Sequence, residues 1–390
     1  TISGAISGDG GLLKGGSLSN NTYNHLILDA PSTQASTYSG GTTLTAGYLS
    51  IRPSDNTATT TVNALGTGPI TLSGGILELR SNSSRRWFDN DNNNILVDGN
   101  VVIELHQGTG TTARTFTIGK STTEFVFGTG NPILTVTGNG TASHNLTIDG
   151  VAKLTGKVKI NNGVIVEFNR GVTETAAGAQ LVKIGAGILI LDGTTDNTYS
   201  GGTTINEGFL RNYRNVATGT GRILVNPGGG FSFEGNNTNG TTNAVTAGQL
   251  HVVSNPNRLS AIGIRYVGAT QADIESWLTT STPYDNVQTY GTGAILGVDD
   301  TAFNTAIDMA TLGNGYWYLG STSGGNYTAT TLGVGAENTY RLGTGTNNLY
   351  VMSDVLVDGS TPGSKVTIGA EWALNGNGGV VLYGNNTYTG

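Results

Sequence analysis

The chain has 390 residues, of which 62 are Gly, 59 Thr and 39 Asn, and only 12% are charged, with a formal net charge of −7. Cysteine is absent, which excludes disulfide frameworks and thiolate metal sites. The acidic balance and the scattered Lys and Arg argue against a nucleic-acid partner. β-Branched residues abound and helix formers are scarce, so short strands joined by tight turns are expected, and 36% hydrophobic content argues for burial over disorder. No run approaches the roughly 18 apolar residues that cross a bilayer, so no membrane span is expected. The opening TISGAISGDGG lacks the basic start and apolar core of a signal peptide, and the chain reads as a mature or excised product.

Taken in chain order, HLILDA at 25–30 is a strand leading into TYSGGTTLTAGYL at 37–49. Apolar runs of strand length follow at 70–72, 76–79, 101–105, 133–136, 146–148 and 164–168, with Gly-rich or Asn-rich turns between them. GILILDG at 187–193 then leads into TYSGGTTINEGFL at 198–210, and GVVLYG at 379–384 leads into TYTG at 387–390, the start of a third copy. Downstream of the first copy, ALGTGPITLSGGILEL from Ala64 parallels ATGTGRILVNPGGGFSF from Ala217. Tyr38 and Tyr199 are 161 residues apart and Tyr199 and Tyr388 are 189 apart, so the true period is a smaller strand–turn unit. An antiparallel sandwich spaces strands similarly, but reuse of one thirteen-residue string at distant places favours a solenoid. At about 22 residues per turn the chain would make some 17 turns, roughly 80 Å of rod.

The stretch 260–313 departs from this pattern. Thr270 can cap a short helix with Asp273 in its first turn and Ile274, Trp277 and Leu278 on one face. A second helix is expected over 300–312, with Phe303, Ile307 and Ala310 on one side and Gly313 as its stop. The expected organisation is therefore 1–259, coils with two motif copies; 260–313, a non-repetitive excursion that is either a cap on an exposed flank or a subunit contact; and 314–390, coils ending within the third copy.

NTYSGGTTINEGFL at 197–210, preceded by KIGAGILILDG at 183–193 and followed by ATGTGRILV at 217–225, resembles the autotransporter-associated β-strand repeat, and SGDGGLLKGG at 7–16 resembles that family's lead-in segment. The resemblance implies a right-handed parallel β-helix, export, and a structural or adhesive role, and it brings no catalytic residue. The residues that carry it are Tyr38, Gly40, Gly41, Thr42 and Gly47 in the first copy, Tyr199, Gly201, Gly202, Thr203 and Gly208 in the second, and Tyr388 in the third. The paired glycines suit corners that need positive φ or close backbone approach. The tyrosines suit either ring packing at a corner or ligand stacking.

Little else points to chemistry. His25, His106, His144 and His251 are scattered without partners at metal-ligand spacing and read as surface or corner residues. Asp89, Asp91 and Asn93 have the oxygen alternation of a calcium loop but lack its glycine and its closing Glu. Asp299-Asp300 is the best carboxylate pair and reads as helix capping. No cofactor and no catalytic or metal-ligating residue is expected. The function expected is an extracellular or cell-surface structural protein, not an enzyme, self-associating head to tail into a filament through Thr1, Ile2, Tyr388 and Gly390 at its terminal coils. The alternatives are an adhesin binding glycans or surfaces, and a polysaccharide-degrading β-helix enzyme.

Overall fold

The computed structural model describes residues 1–16, 24–29, 31–55, 61–139, 143–193, 195–213, 218–234, 245, 248–253, 258–265, 268–278, 293–343, 345–369 and 378–390. The chain divides into two compact units, Thr1–Thr203 and Thr204–Gly390.

In the first unit the chain visits three parallel sheets in a fixed order. One turn runs Glu124–Phe127, Ile133–Asn139, Asn145–Ile148, and the next repeats it as Val151–Leu154, Lys157–Asn162, Ile165–Phe168. Each strand pairs with its counterpart one turn on, Phe125 with Ala152, Leu134 with Ile160 and Leu146 with Val166. Parallel neighbours need a long crossover, and here the rest of the turn supplies it. The architecture is a parallel β-helix. Alternation along each strand sends every second side chain inward. Leu44, Leu72, Val97, Phe127 and Leu154, five register partners of the first sheet, form one inward column in which none is more than 1% exposed. Each buried aliphatic or aromatic chain contributes about 1.5–3 kcal/mol.

The uniform 22-residue turn expected from the sequence is corrected. Register partners lie 20 residues apart at Ala152 and Val172 but 33 apart at Ile103 and Val136, and the turn count built on a constant period falls with it. The ladder fixes only the strands. Surface loops absorb the difference, because lengthening them adds little closure entropy.

In the second unit the largest set of parallel strands is Gly208–Asn212, Gly229–Phe233, Ala261–Ile264, Ile295–Val298, Tyr318–Gly320, Thr339–Leu342 and Lys365–Ile368. Two of these fall inside 260–313, so that stretch contributes ladder strands as well as an excursion. The helix Gln271–Trp277 forms as its capping residues dictate: Thr270 Oγ1 accepts from the Asp273 amide while the Asp273 carboxylate accepts from the Thr270 amide. Its buried face seats Trp277 against Phe233, ring centroids 4.2 Å apart. The helix expected over 300–312 does not form. Ile307–Asp308 is a short strand paired with Leu332–Gly333, and only Met309–Thr311 makes a single 3-10 turn, capped by Asp308. Phe303 bridges Tyr327 and the Ile307 amide donates to the Tyr327 hydroxyl. Pairing with the adjacent turn thus overrides a helical spacing that was present in the sequence.

Candidate functional site

The motif builds a corner fastened to the turn before it. The amides of Thr37, Thr198 and Thr387 donate to the carbonyls of Ile6, Val172 and Leu356 at 2.8, 2.9 and 2.9 Å. The residue before each threonine returns the bond: the amides of Ile6, Val172 and Leu356 donate to Ser36 Oγ, Asn197 Oδ1 and Asn386 Oδ1 at 3.2, 2.8 and 2.9 Å. This position was not singled out from the sequence, although the asparagine is visible in two of the three copies. Asn197→Ala would strand the buried Val172 amide, and is expected to cost about 1–3 kcal/mol. Urea unfolding checks this, and a loss under half a kilocalorie would refute it.

Two residues on, the tyrosine turns inward. Tyr38 and Tyr199 are 2% and 0% exposed, and their hydroxyls meet Thr42 Oγ1 and Thr203 Oγ1, each at 2.5 Å. Burial raises both phenols above their ordinary pKa, only partly offset by the threonine bonds. Neither ring is open to a stacking ligand. The glycine pairs divide their work. Gly41 and Gly202 have φ of 81° and 87°, a region that penalises L side chains. Gly40 and Gly201 lie against backbone, where an added Cβ would sit 2.7 Å from Gly10 C and 2.2 Å from Gly178 O. Gly47 and Gly208, at φ of 78° and 66°, carry the next turn. Tyr388 is half-buried. A further lock went unread: Tyr327, 0% exposed, donates to the carbonyl of Thr331 at 2.6 Å. Burial pushes its phenol up to about 12. The four-residue step from Tyr to Thr in NYTATT was the available signal.

Equivalent motif residues do not occupy equivalent faces. The Leu12 amide donates to Gly41 O at 2.9 Å and the Leu181 amide to Gly202 O at 3.1 Å, yet Leu12–Lys14 belongs to the first sheet and Gln180–Ile184 to the second. The motif therefore specifies a corner, not a side of the helix. The strands Leu12–Lys14 and Gln180–Ile184 each bury a lysine. Lys14 Nζ donates to Gly15 O at 2.7 Å and Asn24 Oδ1 at 3.2 Å, and Lys183 Nζ to Ile184 O at 2.9 Å and Gly185 O at 2.5 Å. Carbonyl oxygens at the strand exit thus receive these ammonium groups.

The remaining candidates scatter. Ile2 pairs with Leu28 and is 36% exposed, Thr1 and Gly390 are exposed, and the Thr389 hydroxyl beside Tyr388 donates to Asp358 at 2.6 Å. Asp91 pairs with Lys120 at 2.8 Å, Asp89 accepts from Asn63 Nδ2 at 3.0 Å, and Asn93 Nδ2 donates to Gly68 O at 2.7 Å, so the three side chains serve separate contacts. Asp299-Asp300 caps no helix, which corrects that expectation. Asp299 is buried and accepts from the Thr322 and Ser323 amides at 2.6 and 3.0 Å and from Ser321 Oγ at 2.9 Å, while Asp300 accepts from the Ala302 amide at 2.8 Å. Burial drives the Asp299 carboxyl up despite these donors.

Two of the histidines depart from the expected surface position without partners. His144 is fully buried, and the ladder brings His106 a carboxylate from 28 residues earlier: His106 Nδ1 lies 2.6 Å from Glu78 Oε1. Ser50, Glu78 and Glu104 are register partners on the outward face of the second sheet, where carboxylates on adjacent strands repel. The neighbours relieve this. Glu78, 1% exposed, also binds Ser50 Oγ and Arg52 Nη2 at 3.0 Å, while Glu104 accepts from Tyr48 Oη at 2.5 Å and Asn139 Nδ2 at 2.7 Å. Burial pushes the Glu78 carboxyl up, but the Ser50 bond and the charge and bonds of Arg52, with the His106 charge, outweigh it and the net direction is down. A folded-state pKa below the unfolded one means that this carboxylate stabilises fully above about pH 4.3 and loses its contribution as pH falls below that. Glu78→Gln is expected to flatten the decline in urea-unfolding free energy between roughly pH 5 and 3. An unchanged slope would rule Glu78 out as its source.

Among the described residues no group of His, Asp or Glu is placed to hold a metal ion, and no helix is long and apolar enough to cross a membrane. The fold and the corner motif define a parallel β-helical repeat protein. The passenger-associated-transport-repeat family matches residues 26–51 and 181–211, the segments that hold the first two corners, so the chain carries two repeats of the autotransporter-associated kind. Comparison with curated proteins and with solved structures found no match.

Proposed function

We propose that the chain is an extracellular structural scaffold of the autotransporter passenger type, with no catalytic step of its own. The observation that carries this reading is the recurrent corner: Ser36, Asn197 and Asn386 accept from amides of the preceding turn, the buried Tyr38 and Tyr199 close on Thr42 and Thr203, and Gly40 and Gly201 lie against backbone. A surface position follows from the repeat, and assembly is the finer part of the proposal. Outward-facing apolar residues on outermost strands, Leu13 at 71% exposed and Ile368 at 60%, favour self-association between terminal coils. Light scattering over a concentration series, with electron microscopy of the same sample, tests it. Concentration-dependent linear assemblies are expected, and a monomer at every concentration would overturn the filament.

An adhesive role is the second reading. The face carrying His25, Tyr48, Glu104 and Asn139 favours it, because it combines the His25 and Tyr48 rings, with centroids 4.4 Å apart, with carboxylate and amide groups that suit sugar hydroxyls. Binding on a glycan array that is lost in Tyr48→Ala would support it, and an empty array would set it aside.

A further inference from the structure

His144 occupies an unusual place for an ionisable group. It is 0% exposed, at the entry of the strand Asn145–Ile148, with its ring edge-on to Phe116 at 5.7 Å; Phe116 in turn stacks on Trp87 at 6.1 Å. The imidazole also takes part in the ladder. The Asn145 amide donates to Arg114 O at 2.9 Å, and the Arg114 amide donates to His144 Nδ1 at 3.2 Å. A side-chain nitrogen thus stands where a backbone acceptor would continue the pairing between one turn and the next. An Nδ1 that accepts leaves the ring hydrogen on Nε2, and Nε2 has no partner.

A second proton therefore has no good place. It would arrive on Nδ1, directly opposing the Arg114 N–H, and turn an acceptor into a donor. Among the described residues the surroundings offer no compensation. Arg114, just before the strand Thr115–Ile118, and His106 at the end of Val101–His106 both oppose a positive charge on the ring. From Arg85–Trp87 the facing charge is Arg85, whose own carboxylate partner, Asp55, is shared with Ser32. Buried polar atoms left over on or beside these strands, Arg85 Nε, Trp87 Nε1 and Arg114 Nε, are donors, and Gln107 Oε1, the acceptor left over beyond His106, makes no bond to the ring.

We propose that His144 is an acid-opened latch: protonation of its ring releases the corner that holds Arg114 to the following turn and loosens the Trp87–Phe116–His144 stack. This is a conformational device independent of the scaffold reading. Burial lowers the pKa of the folded-state imidazole, with Arg114 and His106 acting in the same direction. With the folded pKa below the unfolded one, the open state binds more protons, so stability is complete above the ordinary histidine value near 6.5 and falls as pH drops through it.

Hydrogen exchange of the full chain reads this locally. After correction for intrinsic exchange chemistry, the opening equilibrium at the Arg114 and Asn145 amides is expected to rise by up to about tenfold between pH 7.5 and 5.5, while Leu154 and Phe231 amides stay level. His144→Gln keeps an acceptor for the Arg114 amide and cannot ionise, so its opening is expected to be independent of pH over that range. Wild-type protection that is flat between the two pH values, or a rise that persists in the Gln variant, overturns the latch. Should that variant not fold, NMR titration of the wild-type imidazole decides: a midpoint at or above the ordinary histidine value near 6.5 overturns the proposal and one below it supports it.

Discussion

Tyr199→Ala is expected to lower the stability of the first unit by about 3–5 kcal/mol, the usual cost of emptying a fully buried aromatic site. The ring is 0% exposed, and its removal also leaves Thr203 Oγ1, on a residue 1% exposed, without its hydroxyl partner. Tyr199→Phe keeps the packing and loses only the bond, so about 1–2 kcal/mol is expected from an unsatisfied buried hydroxyl. The two substitutions separate volume from hydrogen bonding. Hydrogen exchange at the Val172 and Leu181 amides is the appropriate measure, because a chain of two compact units need not unfold in one transition. If the Ala variant lost less than about 1 kcal/mol, the corner would not be the fastening described above.

The second large effect comes with a change of sign. Gly→Ala at an unstrained site normally stabilises by about 0.4–1 kcal/mol, since it restricts the unfolded chain. Gly163, with nothing within 4 Å of an added Cβ, is such a site. Gly201→Ala is expected to do the opposite, costing about 1–3 kcal/mol as overpacking, because the new methyl would sit 2.2 Å from Gly178 O and 2.6 Å from Ala179 O. Both atoms are backbone in the adjacent turn and cannot swing aside. Gly202→Ala is expected to cost about 1–2 kcal/mol for a different reason, its φ of 87°. Equal effects at Gly163 and Gly201 would show that the turns are not in close contact there.

The parallel helix was legible in the sequence because one thirteen-residue string recurs, and a solenoid reuses a local geometry where a sandwich does not. Tyr38, Tyr199 and the paired glycines were legible for the same reason. What stayed hidden depends on contacts between turns. Glu78 and His106 carry no spacing signal, since their meeting is set by a 28-residue loop path that only the register defines. His144 looks like any loop histidine until Arg114 is placed over it. Tyr327 lacks the glycine pair and so escaped the pattern that its neighbours share. The helix expected over 300–312 failed for the converse reason: a 3.6-residue apolar spacing was present, but Ile307 found a partner strand.

The displacement of the second corner to another face has a consequence for how such a chain can change length. Each fastening refers only to the turn beneath it, so nothing in it counts faces or turns from a fixed origin. Excising the 20 residues from Ala152 to Gly171 would bring Val172 onto Phe125 with side chains still pointing the same way, because Ala152 and Val172 already share that register. Lineages of such proteins could therefore grow or shrink by whole circuits without redesigning a core, and the loops are free to diverge while they do so.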